Sequence, residues 1–254
     1  MNYKIVITDP YYEIAHNSKA ALCFLNSLEV RSKGYRDNYK RIVYPFGVED
    51  FVTTNITIYA NDCPAACYKF VNRKTCEKYG ITFPILSTLS SESNKHFNLN
   101  TLCDYIKQRE AMGEQIGYIG GFTYSPEITD KRISLELRKL VTCSLVFLKE
   151  YLVVDEILVT GIIHNGASNF IEKLGYNKFF PEPVLVDSLQ AQAYILSCRK
   201  YSEQALQTAL EFGSYWSERE HHTNKQLADQ SVQHIRNNQI HGRDSAFPQY
   251  AQCD

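Results

Sequence analysis

The sequence predicts an α/β (α+β) protein in which helices flank one mixed sheet, and three features of the chain support this. The stretch Gln115 to Tyr176 reads as strand, polar turn, long amphipathic helix, strand and short helix, which is a right-handed crossover between parallel strands. The stretch Phe51 to Val71 alternates apolar and polar residues around a turn, which predicts an antiparallel hairpin. Two short strands follow the crossover, so the sheet continues beyond it.

The N-terminal part is predicted to begin with a strand, Tyr3 to Ile7, and a helix within Tyr11 to Leu28. The helical spacing gives this helix an apolar face formed by Ile14, Ala21, Leu25 and Leu28. The next stretch, Glu29 to Asp50, is charged and rich in tyrosine and contains Gly34, Pro45 and Gly47. These residues indicate a loop or a helix end with exposed groups.

The remaining elements follow from periodicity, caps and turn residues. Pro84 argues against a central strand in the segment after the hairpin. In chain order the sequence predicts hairpin strands at Ile56 to Ala60 and Ala66 to Val71, a helix at Asn98 to Met112, a strand at Ile116 to Tyr124, a helix through Ile133 and Leu152, strands at Val184 to Val186 and Ala191 to Cys198, and a helix at Ser202 to Phe212.

The composition is that of an ordinary globular protein. The 254 residues are 44% hydrophobic and 13% aromatic, which suffices for a large core. With 27 basic and 28 acidic residues the net charge is -1, so no global field favours nucleic acid or a membrane surface, and nucleic acid is not expected as a partner. No apolar run approaches the ~20 residues of a transmembrane helix, so no integral membrane segment is expected.

The eight cysteines are scattered, several within apolar patterns, and the start does not resemble a signal peptide. We therefore expect buried thiols and a cytoplasmic protein. Cys63 and Cys67 lack the second pair of ligands that a zinc site needs, so no metal site is expected. One domain is predicted over residues 1–216, followed by a polar, mobile tail over residues 217–254, in which His221 and His222 would lie on the surface.

The crossover closes with the run HNGASNFIEKLGY, in which Asn165, Ala167 and the segment Glu172 to Tyr176 have a distinctive spacing. Together with the order of elements, this run resembles the GNAT superfamily of acyltransferases, over roughly Ile5 to Cys198. The resemblance implies a mostly antiparallel central sheet flanked by helices. It also implies that the parallel fourth and fifth strands splay apart at their C-terminal ends.

The phosphate loop of that superfamily is altered here. Tyr124 to Glu127 matches the approach to the loop, but Thr129 to Ser134 stands where two glycines belong, and both glycines are absent. In the family the glycines let backbone N–H groups approach the pyrophosphate of coenzyme A. The resemblance nevertheless implies that the start of the helix, Lys131, Arg132, Ile133 and Ser134, binds the donor. The charged side chains of Lys131 and Arg132 would supply charge-assisted hydrogen bonds.

A narrower resemblance, to the acyl-homoserine lactone synthases and N-acyl amino acid synthases, rests on Arg31 and Tyr35 in VRSKGYRDNY, on Asp50-Phe51 and on the strand through Lys69. It implies that Arg31 and Tyr35 bind substrate and that the donor is carried by acyl carrier protein. A carrier presents only phosphopantetheine, so an altered phosphate loop is tolerated. The chain departs from this subgroup in its fourth strand, where a Glu and an Arg are replaced by Tyr118 and Gly121.

The resemblance implies that the thioester lies between the splayed strands and that pantetheine pairs with the backbone edge of Phe122 and Tyr124. The pair Gly120-Gly121 suits a bulge that frees those backbone groups. An equally good explanation is that the two glycines relieve crowding against a neighbouring helix.

The candidates for proton transfer lie after the fifth strand. In many family members a Tyr in the closing helix acts as the general acid that protonates the leaving thiolate. This chain has Ile171 at that position. His164 is the one histidine of the central unit, and an imidazole can serve as a catalytic base near neutral pH, although a structural hydrogen-bonded histidine is the alternative. Asn165 and Ser168 lie at a helix N-terminus, where they would either contact the ligand or cap the helix.

The sequence thus predicts an acyltransferase that moves an acyl group from a thioester donor, acyl carrier protein or coenzyme A, to an amine such as an amino acid. No permanently bound cofactor is expected. Two alternatives stay open: a catalytically inactive GNAT-like module that binds a ligand or partner, and a conventional acetyl-coenzyme A N-acetyltransferase.

Overall fold

The computed structural model of the chain describes residues 1–10, 17–39, 43, 47–94 and 99–222. The strands of this part are β1 (Tyr3–Thr8), β2 (Thr54–Ala60), β3 (Cys63–Asn72), β4 (Ile116–Tyr124), β5 (Glu156–Ile162), β6 (Asn177–Lys178), β7 (Val184–Val186), β8 (Ala191–Cys198) and β9 (Glu220–His222). The helices are α1 (Ser18–Tyr39), α2 (Arg73–Lys78), α3 (Pro84–Leu89), α4 (Leu99–Ala111), α5 (Lys131–Tyr151), α6 (Ala167–Lys173), α7 (Glu203–Glu211) and α8 (Gly213–Ser217). Short 3₁₀ helices cover Val48–Val52 and Glu92–Asn94.

The nine strands described form one sheet in the order β6-β8-β5-β4-β3-β2-β1-β9, with β7 also paired to β8. The pairs β4–β5 and β1–β9 are parallel. The other pairs are antiparallel. The predicted mixed, mostly antiparallel sheet with parallel fourth and fifth strands is therefore confirmed.

The hairpin β2–β3 turns at Asn61 and Asp62, whose φ angles are 47° and 64°. Two consecutive residues with positive φ match the right-handed twist of a hairpin, and Asn and Asp tolerate that conformation best after glycine. The hairpin prediction is confirmed.

Helices pack on both faces of the sheet. On β3, the Cys67 thiol contacts the Ser27 carbonyl of α1 at 3.4 Å, whereas the next residue, Tyr68, donates to Ser144 of α5 at 2.9 Å. Successive residues of a strand point to opposite faces, so α1 and α5 lie on opposite sides. The face of α1 also holds the cluster formed with α2, α3 and α4 around Val71, Phe83 and Leu102.

Of the two alternatives predicted for Glu29 to Asp50, a helix end is present, because α1 continues to Tyr39, but Val30, Arg31 and Gly34 within it are buried rather than exposed. The predicted apolar face is also wrong: Leu25 is 56% exposed, and the buried side is formed by Ala20, Cys23, Phe24, Ser27, Val30, Arg31 and Gly34. The buried face includes the charged Arg31, whose ion-pair partner lies outside the helix. Hydrophobic spacing alone therefore predicts the wrong face of the helix as buried. Residues 11–16 of the predicted helix lie outside the described residues.

Gly34 lets α1 cross closely over β4. A Cβ at this position would overlap Thr123 Oγ1 and lie 2.8 Å from the Tyr124 carbonyl oxygen. Replacing glycine by alanine inside a helix normally stabilises a protein by about 0.5–1 kcal/mol. Because a strand carbonyl cannot move aside easily, we expect Gly34→Ala to destabilise the fold by about 1–3 kcal/mol instead, measured by urea unfolding.

The matched control for Gly34→Ala is Gly213→Ala, since the nearest heavy atom to a Cβ at Gly213 is Phe147 Cζ at 3.7 Å. This second variant is expected to be neutral or slightly stabilising. If Gly34→Ala matched the control, the close crossing of α1 over β4 would be contradicted.

The part of the predicted tail that the structure describes includes β9, in which Glu220 pairs with Val6 of β1. The side chains of His221 and His222 are only 6% and 10% exposed. Their predicted surface position is wrong, because β9 lays them against the neighbouring elements. Residues 223–254 of the predicted tail lie outside the described residues.

Five cysteines of the described residues are buried, as expected: Cys23, Cys67, Cys76, Cys143 and Cys198. Burial raises the pKa of Cys67 and of Cys76 to about 11, which keeps these thiols protonated and unreactive near neutral pH. Cys63 in the hairpin is exposed, and Cys103 is half-buried. In the part of the chain that the structure describes, no helix is long and apolar enough to cross a membrane.

Candidate active site

The central feature of the sheet is a split between β4 and β5. The two strands pair only from Ile116 with Glu156 to Ile119 with Val159. Beyond these residues β4 continues to Tyr124 and β5 to Ile162, each keeping its outer neighbour. The predicted splay is therefore present, and along the split the facing backbone edges have no strand partner among the described strands.

A bulge in β4 lies at the start of this split. Lys69 and Cys67 of β3 are two residues apart, but their partners in β4, Gly120 and Thr123, are three apart. Gly121 has φ +65°, a conformation that costs glycine little. A Cβ on Gly121 would lie 3.0 Å from Arg31 Cδ. The bulge is present, and the glycine also permits a close approach of α1.

Two adjacent cavities occupy the split. The larger, here called the interstrand cavity, has a volume of about 750 Å³ and reaches between β4 and β5. The smaller, here called the outer cavity, has a volume of about 430 Å³ and lies beside the C-terminal end of β4. Both cavities are lined by Phe122, Asn165 and Ala167, so the two volumes meet at these residues.

The interstrand cavity reaches both faces of the sheet. Tyr68 and Leu145 line it from the side of α5, and Pro84 lines it from the side of α3. Much of its wall is apolar, with Ile81, Ile119, Val159, Ile162, Ile171 and Leu189 among the lining residues. It can therefore take an apolar chain that passes through the sheet.

Phe122 and Tyr124 lie where the predicted donor path begins. The Phe122 ring stacks on Phe170 with a centroid distance of 5.7 Å and contacts the Tyr124 ring edge-on at 5.0 Å. The Tyr124 hydroxyl is buried and has no hydrogen-bond partner among the described residues. Burial raises the pKa of Tyr124, and the nearby Arg138 guanidinium opposes this shift. The hydroxyl therefore stays protonated near neutral pH.

The predicted phosphate-binding residues do not reach either cavity. Lys131 and Arg132 are exposed on the first turn of α5, the Arg132 side chain being 91% exposed, and Ile133 and Ser134 are half-buried outside the cavity walls. The start of the helix is also capped, because Asp130 accepts the Arg132 N–H at 2.7 Å. That bond lowers the pKa of Asp130, so its negative charge sits where an incoming phosphate would be expected.

Arg138, two turns further along α5, does line the outer cavity. Sequence reasoning missed this residue, although its spacing of seven from Lys131 places both on one face of the helix. Lys173, in the last turn of α6, lines the same cavity. The cations that face the cavity are therefore not those at the helix start.

Of the three residues after β5 that the sequence places in the site, only Asn165 lines a cavity. His164 is exposed, packs its ring edge-on against Tyr39 at 5.4 Å and is not among the residues that line the two cavities. Asn165 lines both cavities and also accepts the Ala167 N–H at 3.1 Å, as a helix cap does. Ser168 is 2% exposed, lines neither cavity and donates to Glu172 at 2.8 Å.

Arg31 belongs to a buried charge cluster beneath the interstrand cavity. Its Nη1 lies 2.5 Å from Asp50 Oδ1, and the other oxygen of Asp50 lies 2.8 Å from Lys69 Nζ. Lys69 Nζ is also 3.0 Å from Glu49 Oε1. Burial would lower the pKa of Arg31, but Asp50 raises it, so the guanidinium stays charged. Arg31 itself does not line the cavity, whereas Glu49 and Lys69 do.

Hydroxyl groups also face the interstrand cavity. Tyr35, predicted to bind substrate, lines it, as do Tyr118 of β4 and Thr160 of β5. The Tyr118 hydroxyl lies 3.4 Å from Thr160 Oγ1, across the point where pairing between the strands ends. Burial raises the pKa of both tyrosines. Sequence reasoning missed this Tyr–Thr pair, because only the register of the two strands brings it together.

Metal-ligating side chains are not clustered in the described part of the chain. Among the described residues, no group of three His, Cys, Asp or Glu side chains is arranged to hold a metal ion.

Neither a protein-family model nor a curated protein sequence matches the chain. Solved structures do match it. FeeM, an N-acyl amino acid synthase from uncultured soil microbes, is 10% identical with a TM-score of 0.47, the match covering 84% of this chain and 97% of that one. The AHL synthase LasI is 11% identical with a TM-score of 0.46, covering 81% and 94%. An acyl-CoA N-acyltransferase from Pseudomonas aeruginosa is 12% identical with a TM-score of 0.45, covering 77% and 99%.

Proposed function

We propose that the chain is an N-acyltransferase that moves an acyl group from a thioester donor to an amine. The observation that carries this proposal is the interstrand cavity, which opens where β4 and β5 stop pairing and reaches both faces of the sheet. A donor could enter from one face and an acceptor from the other. The two substrates would then meet at the split.

The donor is proposed to follow the free edge of β4. Pantetheine contains two amide groups, which can pair with backbone N–H and C=O groups from Gly121 to Tyr124 as an added strand does. The acyl chain would continue into the interstrand cavity, whose volume of about 750 Å³ far exceeds that needed by an acetyl group. We therefore favour a long acyl chain over acetyl.

A carrier-linked donor is favoured over coenzyme A by the start of α5. Asp130 occupies the helix N-terminus, and its charge would repel the pyrophosphate of coenzyme A. A carrier protein presents phosphopantetheine alone, which has a single phosphate. The donor proposed is accordingly a long-chain acyl carrier protein.

The chemistry needs few groups, because a thioester is already activated and positioning supplies much of the rate. The amine nitrogen attacks the carbonyl carbon, the C–N bond forms and the C–S bond breaks. Backbone N–H groups freed by the bulge would stabilise the oxyanion. Tyr118, kept protonated by burial, would protonate the leaving thiolate. His164 remains the proposed base, and it would take the amine proton through water beside Tyr39.

An amino acid is the proposed acceptor. The wall of the interstrand cavity carries one ammonium, on Lys69, and one carboxylate, on Glu49. An amino acid brings the complementary pair of charges. The acceptor would open the Lys69–Glu49 ion pair, its carboxylate facing Lys69 and its amine facing Glu49 before losing a proton.

A catalytically inactive binding module is the second candidate. It is favoured by Ile171, which lines the interstrand cavity where family members usually carry an acidic tyrosine. The capped start of α5 favours it as well.

Release of free thiol from acyl donors in the presence of an amino acid mixture tests the proposed activity. We expect release from long-chain acyl carrier protein to be faster than from acetyl-coenzyme A. A thermal-shift panel with the same donors gives an independent readout of binding. Stabilisation by donors without thiol release would favour the binding module, and neither response would reject both candidates.

A further inference from the structure

Part of the wall of the interstrand cavity consists of two separate pieces of chain, one from α3 and one from the end of β7 and the turn after it. The residues of this α3–β7 wall are Pro84, Ser87, Thr88, Val186, Ser188 and Leu189. Val184 of β7 packs in the same apolar cluster as Phe83, which precedes α3. Lys69 lies on the same face of the sheet, because Asp50 joins it to Arg31 of α1.

A single side chain, that of Asn94, joins the two pieces of the α3–β7 wall. Its Nδ2 donates to the Thr88 carbonyl of α3 at 2.9 Å and to the Leu185 carbonyl of β7 at 2.8 Å. The Ser91 hydroxyl lies 2.9 Å from the same nitrogen. The Oδ1 of Asn94 accepts the Leu185 N–H at 2.9 Å. The amide therefore pairs with the outer edge of β7 as a peptide group of a further strand would.

Asn94 acts on the cavity only through the residues that it holds. It is fully buried, yet it is not among the residues that line the two cavities. The elements that it joins are short, since α3 has six residues and β7 has three. Among the described strands, β8 is the sole partner of β7. Removing the amide would leave buried peptide groups of both elements unsatisfied, which is costly.

We infer that Asn94 is a positioning residue for the acceptor, because it fixes the α3–β7 wall beside the Lys69–Glu49 pair. This inference rests on the proposed function, since it assigns a role in binding the proposed acceptor. The proposed donor path follows β4 from Gly121 to Tyr124, and those residues are not part of the wall. Loss of Asn94 should therefore weaken the binding of the acceptor more than that of the donor.

Hydrogen exchange followed by mass spectrometry tests the wall without any substrate. In Asn94→Ala the Leu185 N–H loses its acceptor. We expect the peptide that contains Leu185 to exchange about tenfold faster than in wild type, because the edge of β7 then opens locally. Unchanged exchange would overturn the inference, since Asn94 would not then hold β7.

Acceptor kinetics test the role in binding. The acceptor used is the single amino acid that gives the fastest release of thiol from long-chain acyl carrier protein. In Asn94→Ala its KM should rise on the order of tenfold, while kcat and the KM of the donor change by no more than about twofold. An equal rise in both KM values would overturn the inference, because the whole split would then be loosened.

Asn94→Asp carries the test if Asn94→Ala does not fold. The protonated carboxyl group can still accept the Leu185 N–H and donate to one carbonyl, whereas the ionised group has no proton to donate. Relative to wild type at the same pH, exchange at Leu185 and the acceptor KM should therefore rise together as the pH is raised. A rise in exchange without a rise in the acceptor KM would contradict a positioning role.

Asn26→Ala is the matched control, because Asn26 is half-buried, donates to the Tyr59 hydroxyl at 3.0 Å and lines neither cavity. It should leave the acceptor KM and exchange at Leu185 unchanged. If wild type transfers the acyl group and Asn94→Ala keeps the same acceptor KM as Asn26→Ala, the inference is wrong and the proposed function survives. If wild type releases no thiol with any amino acid, the proposed function is rejected, and the inference with it.

Discussion

Replacing Asp50 with Asn is expected to destabilise the fold by about 3–5 kcal/mol, because it leaves the buried Arg31 guanidinium without an anionic partner and Lys69 with Glu49 alone. Asp50 is fully buried between Arg31, which is 1% exposed, and Lys69. Its Oδ2 also accepts the backbone N–H of Gly47 at 2.8 Å. An amide cannot neutralise Arg31, which would have to stay charged while only 1% exposed. Urea unfolding with an unchanged m-value would measure the loss.

Glu49→Gln is the matched control, since it removes a carboxylate from the same cluster. Glu49 is 29% exposed and has one partner in the cluster, Lys69. A partly exposed pair of this kind contributes about 0–1 kcal/mol. Equal losses of under 1 kcal/mol in both variants would show that Asp50 does not balance the buried cations.

Replacing Ala167 with Phe is expected to weaken the binding of acyl thioesters on the order of a hundredfold, about 2.7 kcal/mol. Ala167 is the first residue of α6 and lines both cavities. A phenyl ring there would fill the junction that the donor must pass, while the half-buried position leaves room for the fold to adjust. Calorimetry with a long-chain acyl thioester measures the change.

The control for Ala167→Phe makes the same substitution at the exposed Ala111, the last residue of α4. It should leave donor affinity unchanged. Unaltered affinity in Ala167→Phe, with the fold intact by circular dichroism, would mean that the donor does not pass between the two cavities.

Local signals explain why much of the fold is predictable. The bounds of β4, Ile116–Tyr124, agree with the sequence prediction, and so do those of β7 and β8. In each case a mostly apolar run lies beside turn residues, and both signals lie within the segment or next to it. The crossover helix and the hairpin turn are likewise specified by neighbours in the chain.

Long-range partners explain what sequence reasoning missed. Arg31 reads as a surface residue until Asp50, 19 residues away, is placed beside it. The strand β9 has a polar sequence and becomes a strand only because β1 offers it an edge. Arg138 was overlooked because family motifs direct attention to the start of the helix, whereas the depth of the outer cavity depends on how α5 packs beside β4 and α6.

The placement of the acyl chain between β4 and β5 is tested most directly by photo-crosslinking. A long-chain acyl thioester with a diazirine at the end of the chain would be activated on the full chain, and the labelled residues would be mapped by mass spectrometry. We expect labels on residues that line the interstrand cavity, such as Ile119, Val159 and Ile171. Labels confined to exposed apolar residues, such as Leu22 and Leu25 on α1, would contradict this placement.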